Sequence, residues 1–178
     1  YLKDRLLVIR TDGKAIVIDT TAPTVTVFVP ATSNTLKVPI TTLTATDNTG
    51  GSGVTGYMVT DTSIATNAED AGWSATAPAN YTFTTEGSKT LYAWAKDGAG
   101  NISASKSASV NIQILHGDIN GDNIVDLKDA ILAFQVLAGS NPSGIRSDYT
   151  ISGVDVNGDN TIGLPEVIYI LQKVAGIR

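Results

Sequence analysis

Two stretches of the sequence repeat each other at an offset of 37 residues: DINGDNIVDLKD over 118–129 and DVNGDNTIGLPE over 155–166. Each places oxygen-bearing side chains at positions 1, 3, 5 and 12 of a twelve-residue loop. Ca²⁺ takes six to eight oxygens at about 2.3–2.6 Å, and this alternation turns one side chain after another towards such an ion. In the first loop Asp118, Asn120 and Asp122 are expected to offer side chains and Ile124 its carbonyl. Asp126 adds a direct or water-mediated contact, and Asp129 is the closing carboxylate. In the second, Asp155, Asn157, Asp159, the Thr161 carbonyl and Glu166 take the same parts, with Gly163 leaving room for water. Position 6, usually Gly, is Asn123 and Asn160, and Asn tolerates a left-handed backbone better than other side-chain-bearing residues. Seven of the eight acidic residues after 113 fall in these loops, a concentration of like charge that repels itself without a counter-cation. The cofactor expectation is therefore two Ca²⁺ per chain.

What positions the loops is helical. AILAFQVLAG (130–139) and VIYILQKVAG (167–176) follow them with helical periodicity. Leu127, Ala130, Ile131, Phe134 and Leu137 form one apolar stripe and Leu164, Val167, Ile168, Leu171 and Val174 the other, and both are expected to be core. Leu132 and Tyr169 lie off the stripes and are candidates for a partner surface. Val125 and Ile162, at position 8, are expected to point away from the ions.

The stretches before the loops, VNIQILHG (110–117) and SDYTISGV (147–154), do not read as helices. A duplicated loop–helix without an entering helix resembles the dockerin domains, over about 60 residues and nearly every ligand position. The resemblance implies two bound Ca²⁺, folding coupled to binding, and docking onto a cohesin-like protein. Loop positions 10 and 11 are Leu127-Lys128 and Leu164-Pro165, where many cellulosomal dockerins carry Ser or Thr. The resemblance thus implies calcium more firmly than cohesin.

Upstream the composition changes: 21 of 23 Thr precede residue 91. TVTVFV (24–29), TLKVPITTLTAT (35–46), VTGYMVTD (54–61), YTFTT (81–85), KTLYAWAK (89–96) and ISASKSASVNI (102–112) alternate like strands between turn signals, which predicts an antiparallel sandwich. TTAPTVTV, LTATDN, LYAWAKDGAGN and SASVNI resemble bacterial immunoglobulin-like repeats. In that family DTTAPTV (19–25) marks the junction between repeats, which implies that what precedes it belongs to another β unit or is lent to one. The family's register puts Ala93 and Ala95 inward, leaving Tyr92 and Trp94 on the outer face for a sugar, a neighbouring module or a covering segment of this chain. Asp19, Asp47 and Asp97 at turns are candidates for an inter-module Ca²⁺ site, acidic turns without metal being the commoner case. His116 adjoins the first loop as a surface residue.

Residues 1–20 read as two β-branched runs around Asp12-Gly13, a hairpin too apolar to stand alone in water. The expected fold is therefore mainly β with an α C-terminal module, in three parts. These are an N-terminal β-hairpin or donated strand (1–20), an immunoglobulin-like antiparallel β-sandwich (21–113) and a dockerin-like calcium-loop/helix pair (114–178).

A formal charge of −5 argues against nucleic acid, no apolar run reaches membrane-spanning length, and the lack of Cys excludes disulfides and thiolate chemistry. Only His116 is available to partner a Ser nucleophile, and there is no Gly-rich phosphate loop with Lys, so the expectation is not an enzyme. The chain starts at Tyr1 without a signal-peptide pattern, which suits a processed protein or a fragment. Two functions fit. One is a non-catalytic, calcium-binding structural protein of the bacterial cell surface that assembles with other copies of itself into an extracellular filament by strand donation. The other is a C-terminal anchoring tail of a larger secreted, polysaccharide-degrading enzyme that binds a cohesin-like scaffold.

Overall fold

The computed structural model describes residues 7–9, 15–64, 66–150 and 152–178. They are mainly β, with two antiparallel sheets of three strands, a two-stranded ribbon and two short helices. Contacts divide the chain into two compact units, one of residues 1–32, 38–82 and 88–110, the other of residues 33–37, 83–87 and 111–178.

In the first unit β1 (Leu7–Ile9) pairs with β2 (Ala15–Val17), Val8 opposite Ile16. The backbone pairing agrees with the expected hairpin, while its turn at Asp12-Gly13 lies outside the described residues. One three-stranded sheet has the order β3 (Thr24–Pro30), β4 (Lys37–Thr46), β6 (Asn80–Thr82); the other has β5 (Val54–Thr60), β7 (Gly87–Asp97), β8 (Lys106–Ile112). Along β4 the alternation of Thr and Lys with Val38 and Ile40 buries one face only, the period-2 pattern of a half-covered sheet.

Strand β7 departs from that pattern. Leu91, Ala93 and Ala95 are buried on one face, yet Trp94 on the other is only 5% exposed. Of the alternatives for the Tyr92/Trp94 face, the covered one therefore holds for Trp94, and the register, Ala inward and Trp outward, is as expected. Neighbours on that face come from β5 and, around Lys96, from the chain after it. Met58 stands opposite Trp94 and Gly56 opposite Lys96, the Trp94 indole N–H donates to Thr60 Oγ1 at 3.0 Å, and Lys96 Nζ donates to the Ala68 carbonyl while lying 5.1 Å from the centre of the Trp73 ring. A Cβ at Gly56 would meet Lys96 at 2.9 Å and Trp73 at 3.3 Å, so glycine there makes room for the stacked cation. Tyr92 remains half-buried.

In the second unit the two loops run into α1 (Leu127–Leu137) and α2 (Leu164–Val174), which pack together. Among the described residues no helix leads directly into either loop. The core of this unit is Ile119, Ala130, Ala133, Val154, Ile162, Val167 and Ile170. Ile162, at position 8 of the second loop, belongs to it, and its counterpart Val125 packs against it.

The helix faces differ from the sequence reading. Ala130, Ala133, Val167 and Ile170 are buried, but Leu127, Ile131, Phe134, Leu137, Leu164, Ile168, Leu171 and Val174 are each at least 39% exposed. The stripes assigned to the core are thus mostly solvent-facing. Leu132 and Tyr169, the candidates for a partner surface, pack against the core instead. The physical reason is rotation about the helix axis. Asp129 and Glu166 are 0% exposed because they turn into their loops. Residues one and four further along share that side, whereas Leu127, Ile131 and Phe134 lie on the opposite one at about 100° per residue.

Candidate functional site

Each loop is a ring of backbone N–H groups closed onto its first carboxylate. Asp118 Oδ1 accepts from Gly121 N at 2.9 Å and Asp122 N at 3.1 Å, and its Oδ2 accepts from Asn123 N at 3.1 Å. Asp155 repeats this with Gly158 N at 2.7 Å, Asp159 N at 3.2 Å and Asn160 N at 2.6 Å. That winding needs a left-handed residue at position 6, and Asn123 and Asn160 supply it with φ of 68° and 62°.

Positions 3, 5 and 7 are then fixed by short side-chain turns. Asn120 Oδ1 accepts from Asp122 N, and Asp122 Oδ1 from Ile124 N. In the second loop Asn157 Oδ1 accepts from Asp159 N, and Asp159 Oδ1 from both N and Oγ1 of Thr161. The Thr161 hydroxyl holds the Asp159 carboxyl below its ordinary pKa. At position 9 Asp126 caps α1, accepting from Lys128 N at 2.7 Å.

The closing carboxylates tie loop to helix. Asp129 accepts from Asn120 N at 3.1 Å and Asp126 N at 2.9 Å; the longer Glu166 reaches Val156 N at 3.1 Å and Gly163 N at 2.7 Å. Burial pushes the Asp129 carboxyl above its ordinary pKa. Asp118 has a cation nearby, Arg146 Nη1 at 3.7 Å, itself anchored on Asp148 at 2.7 Å and 13% exposed. Asp129 and Glu166, fully buried, have no ion-pair partner among the described residues. Burying a carboxylate without a cation is costly, and the donor set is all hard oxygen, so the residues fit Ca²⁺. Arg146 carried no sequence signal, since it stands in the spacer between the repeats.

Around the loops, Asn34 Nδ2 donates to Asn123 Oδ1 at 2.7 Å, and Glu86 accepts from Ile114 N and pairs with His116 Nε2 at 3.2 Å. His116 holds the Glu86 carboxyl below its ordinary pKa; its own Nδ1 lies 2.9 Å from the Gly153 carbonyl. These contacts make His116 a tether for the first loop. Alongside α2 a groove of about 610 Å³ is lined by His116, Val156, Leu164, Pro165, Ile168 and Tyr169, and Arg178 stacks 4.6 Å from the Tyr169 ring.

Away from the loops, Asp19, Asp47 and Asp97 each bring a carboxylate oxygen within 4.8 Å of the other two. Among the described residues no helix is long and apolar enough to cross a membrane.

No family model matches the chain. It is 40% identical over 98 residues to "Exoglucanase A" of Cellulomonas fimi, a match covering 52% of this chain, and it spans 10% of that protein's length. Among solved structures it is similar to the fibronectin(III)-like modules of Clostridium thermocellum CbhA, at 19% identity and a TM-score of 0.34 over 62% of this chain and 60% of that one. The chain is similar, then, to a small part of an exoglucanase.

Proposed function

We propose that this chain is a non-catalytic accessory part of a larger secreted, polysaccharide-degrading protein, and that its second unit binds two Ca²⁺ and docks on a cohesin-like partner. The observation that carries the docking role is the outward apolar face of the helix pair. Eight large apolar residues, four on each helix at matching repeat positions, stand at least 39% exposed. Exposed apolar surface on this scale marks an interaction site, and the buried, cation-free Asp129 and Glu166 speak for calcium holding the helices that present it. The likeness to part of an exoglucanase supports the secreted, glucan-degrading context. The filament reading rests on residues 1–20, largely outside the described residues, and nothing in the comparisons speaks for it.

The test is a titration of the intact chain against a panel of cohesin modules in Ca²⁺ and in EDTA. Binding to at least one module, lost in EDTA and weakened at least tenfold by Phe134→Asp with Ile168→Asp, is the expected result. No binding in Ca²⁺, or binding indifferent to both substitutions, overturns the proposal.

A further inference from the structure

The duplication makes α1 and α2 look interchangeable, yet α2 borders a groove whose residues its twin does not repeat. The groove is lined by Leu164, Pro165, Ile168 and Tyr169, by Val156 of the second loop, by His116 and by Arg178. At the positions 37 residues earlier, Lys128 stands in place of Pro165, Leu132 in place of Tyr169 and Asn141 in place of Arg178.

Tyr169 is seated by a glycine. Gly117 has φ of 88°, and a Cβ there would meet Ile170 at 3.0 Å and Tyr169 at 3.2 Å. The ring packs against the core, meets His116 edge-on with centroids 6.2 Å apart, and carries the Arg178 guanidinium 4.6 Å from its centre. Both ring nitrogens of His116 are already engaged, Nε2 with Glu86 and Nδ1 with the Gly153 carbonyl. His116 therefore serves the groove as a wall.

Arg178 is the groove's free cation. Its Nη1 donates to Gln172 Oε1 at 3.4 Å, which uses one of five N–H donors. It has no ion-pair partner among the described residues, and none of the lining residues is acidic. Stacking on the Tyr169 ring holds the guanidinium fork in place before any partner arrives, so little freedom is lost when it binds a carboxylate. Beside it the exposed side chains of Leu164 and Ile168 offer apolar surface. With its ring between the core, His116 and Arg178, Tyr169 is not presented as a stacking platform for a sugar.

We infer that this groove is the selective part of the docking face: it takes a segment of the protein partner that sets an apolar side chain against Leu164 and Ile168 and an adjacent carboxylate against Arg178. The inference rests on the docking role proposed above and names the chemistry that the partner must bring. Leu164 and Ile168 belong both to the outward apolar face and to the groove, so a partner lying on the face reaches the groove without a break. It follows that α2, and not its twin α1, chooses the partner.

The test is nuclear magnetic resonance titration of the intact chain in Ca²⁺ with capped peptides of equal length. One has Leu-Glu-Leu at its centre; in the others Gln or Lys replaces the Glu, or Ser replaces both Leu. The Glu peptide is expected to shift the methyl signals of Leu164 and Ile168 and the Nε–H of Arg178, leaving Leu127 and Ile131 of α1 unmoved. It should bind about threefold more tightly than the Gln peptide, the scale of an exposed ion pair, with the Lys and Ser peptides weaker still. Arg178→Gln, at an exposed position, should erase the preference for Glu over Gln. Equal affinity for the Glu, Gln and Lys peptides, a preference that survives in Arg178→Gln, equal shifts on α1, or no saturable shift overturns the inference. So does a cello-oligosaccharide that moves these signals when the peptides do not. Cohesin modules that fail to bind while the peptide order holds would remove the cohesin-like partner and leave the groove; cohesin binding without that order would do the reverse.

Discussion

Arg146 sits where it should oppose calcium. Its Nη1 is 3.7 Å from Asp118 Oδ2, and an ion coordinated by that oxygen at up to about 2.6 Å could lie no further than about 6.3 Å from the guanidinium. A double charge and a single charge at that distance repel by about 1.3 kcal/mol in a water-like dielectric and by about 5 kcal/mol at an effective constant of 20. Arg146 is 13% exposed and Asp118 fully buried, so the local value lies between these limits. Replacing Arg146 by Gln should therefore tighten calcium at the first loop by about tenfold or more, since 1.4 kcal/mol is a factor of ten. A second effect, release of Asp148 from its 2.7 Å ion pair, leaves that negative charge unpaired nearby and works in the same direction. Calorimetry on the intact chain reads the change, with the exposed Asp159→Asn identifying which event belongs to the second loop. Unchanged or weaker binding at the first loop in Arg146→Gln would falsify the electrostatic argument.

Chelation with EDTA should remove most of the helical signal of circular dichroism and keep the strand signal, because two eleven-residue helices are marginal without the loops that organise them; unaltered helicity would mean that packing alone suffices. Ile170→Ala, at a fully buried position, should lower the stability of the second unit by about 2–5 kcal/mol, whereas Ile168→Ala on the outward face should change it by less than about 0.5 kcal/mol; equal losses in chemical denaturation would contradict the assignment of faces. The Asp19 carboxyl is held below its ordinary pKa by Ser52 and Thr21 N–H groups, so its contribution is fully present above the ordinary Asp range near 4 and lost as pH falls through the lowered value. In EDTA, the strand melting midpoint should fall with acid between about pH 5 and pH 2, and Asp19→Asn should flatten that fall.

The loops were legible because their chemistry is local. The spacing of the oxygen side chains and the Asn at position 6 lie within twelve consecutive residues, the pattern recurs 37 residues on, and the winding onto Asp118 and Asp155 follows from it. The strands of the first unit were legible from period-2 alternation. Helix rotation was misread because both helices are apolar on nearly every side, which leaves periodicity without a preferred face. The usable signal was the closing carboxylate. Once Asp129 and Glu166 must turn into their loops, Ala130, Ala133, Val167 and Ile170 follow them inward. The burial on the outer face of β7 was illegible for a different reason: it depends on contacts distant in sequence, such as Trp94 with Thr60 and Trp73 over Lys96. The cluster of Asp19, Asp47 and Asp97 could be suspected as turn acids, but their convergence is visible only in three dimensions.

The loop winding also bears on how the protein ages. Asn120-Gly121 and Asn157-Gly158 are the dipeptides in which a backbone nitrogen attacks the preceding side-chain amide most readily, closing a succinimide that opens to Asp or isoAsp. The attacking nitrogens would be those of Gly121 and Gly158, and both are engaged, donating to Asp118 Oδ1 at 2.9 Å and to Asp155 Oδ1 at 2.7 Å. Ring closure therefore has to wait for the loop to open locally. Whatever keeps the loops closed also sets their chemical lifetime, so damage of this kind should accumulate at the rate of opening and mark the molecules whose loops open most often.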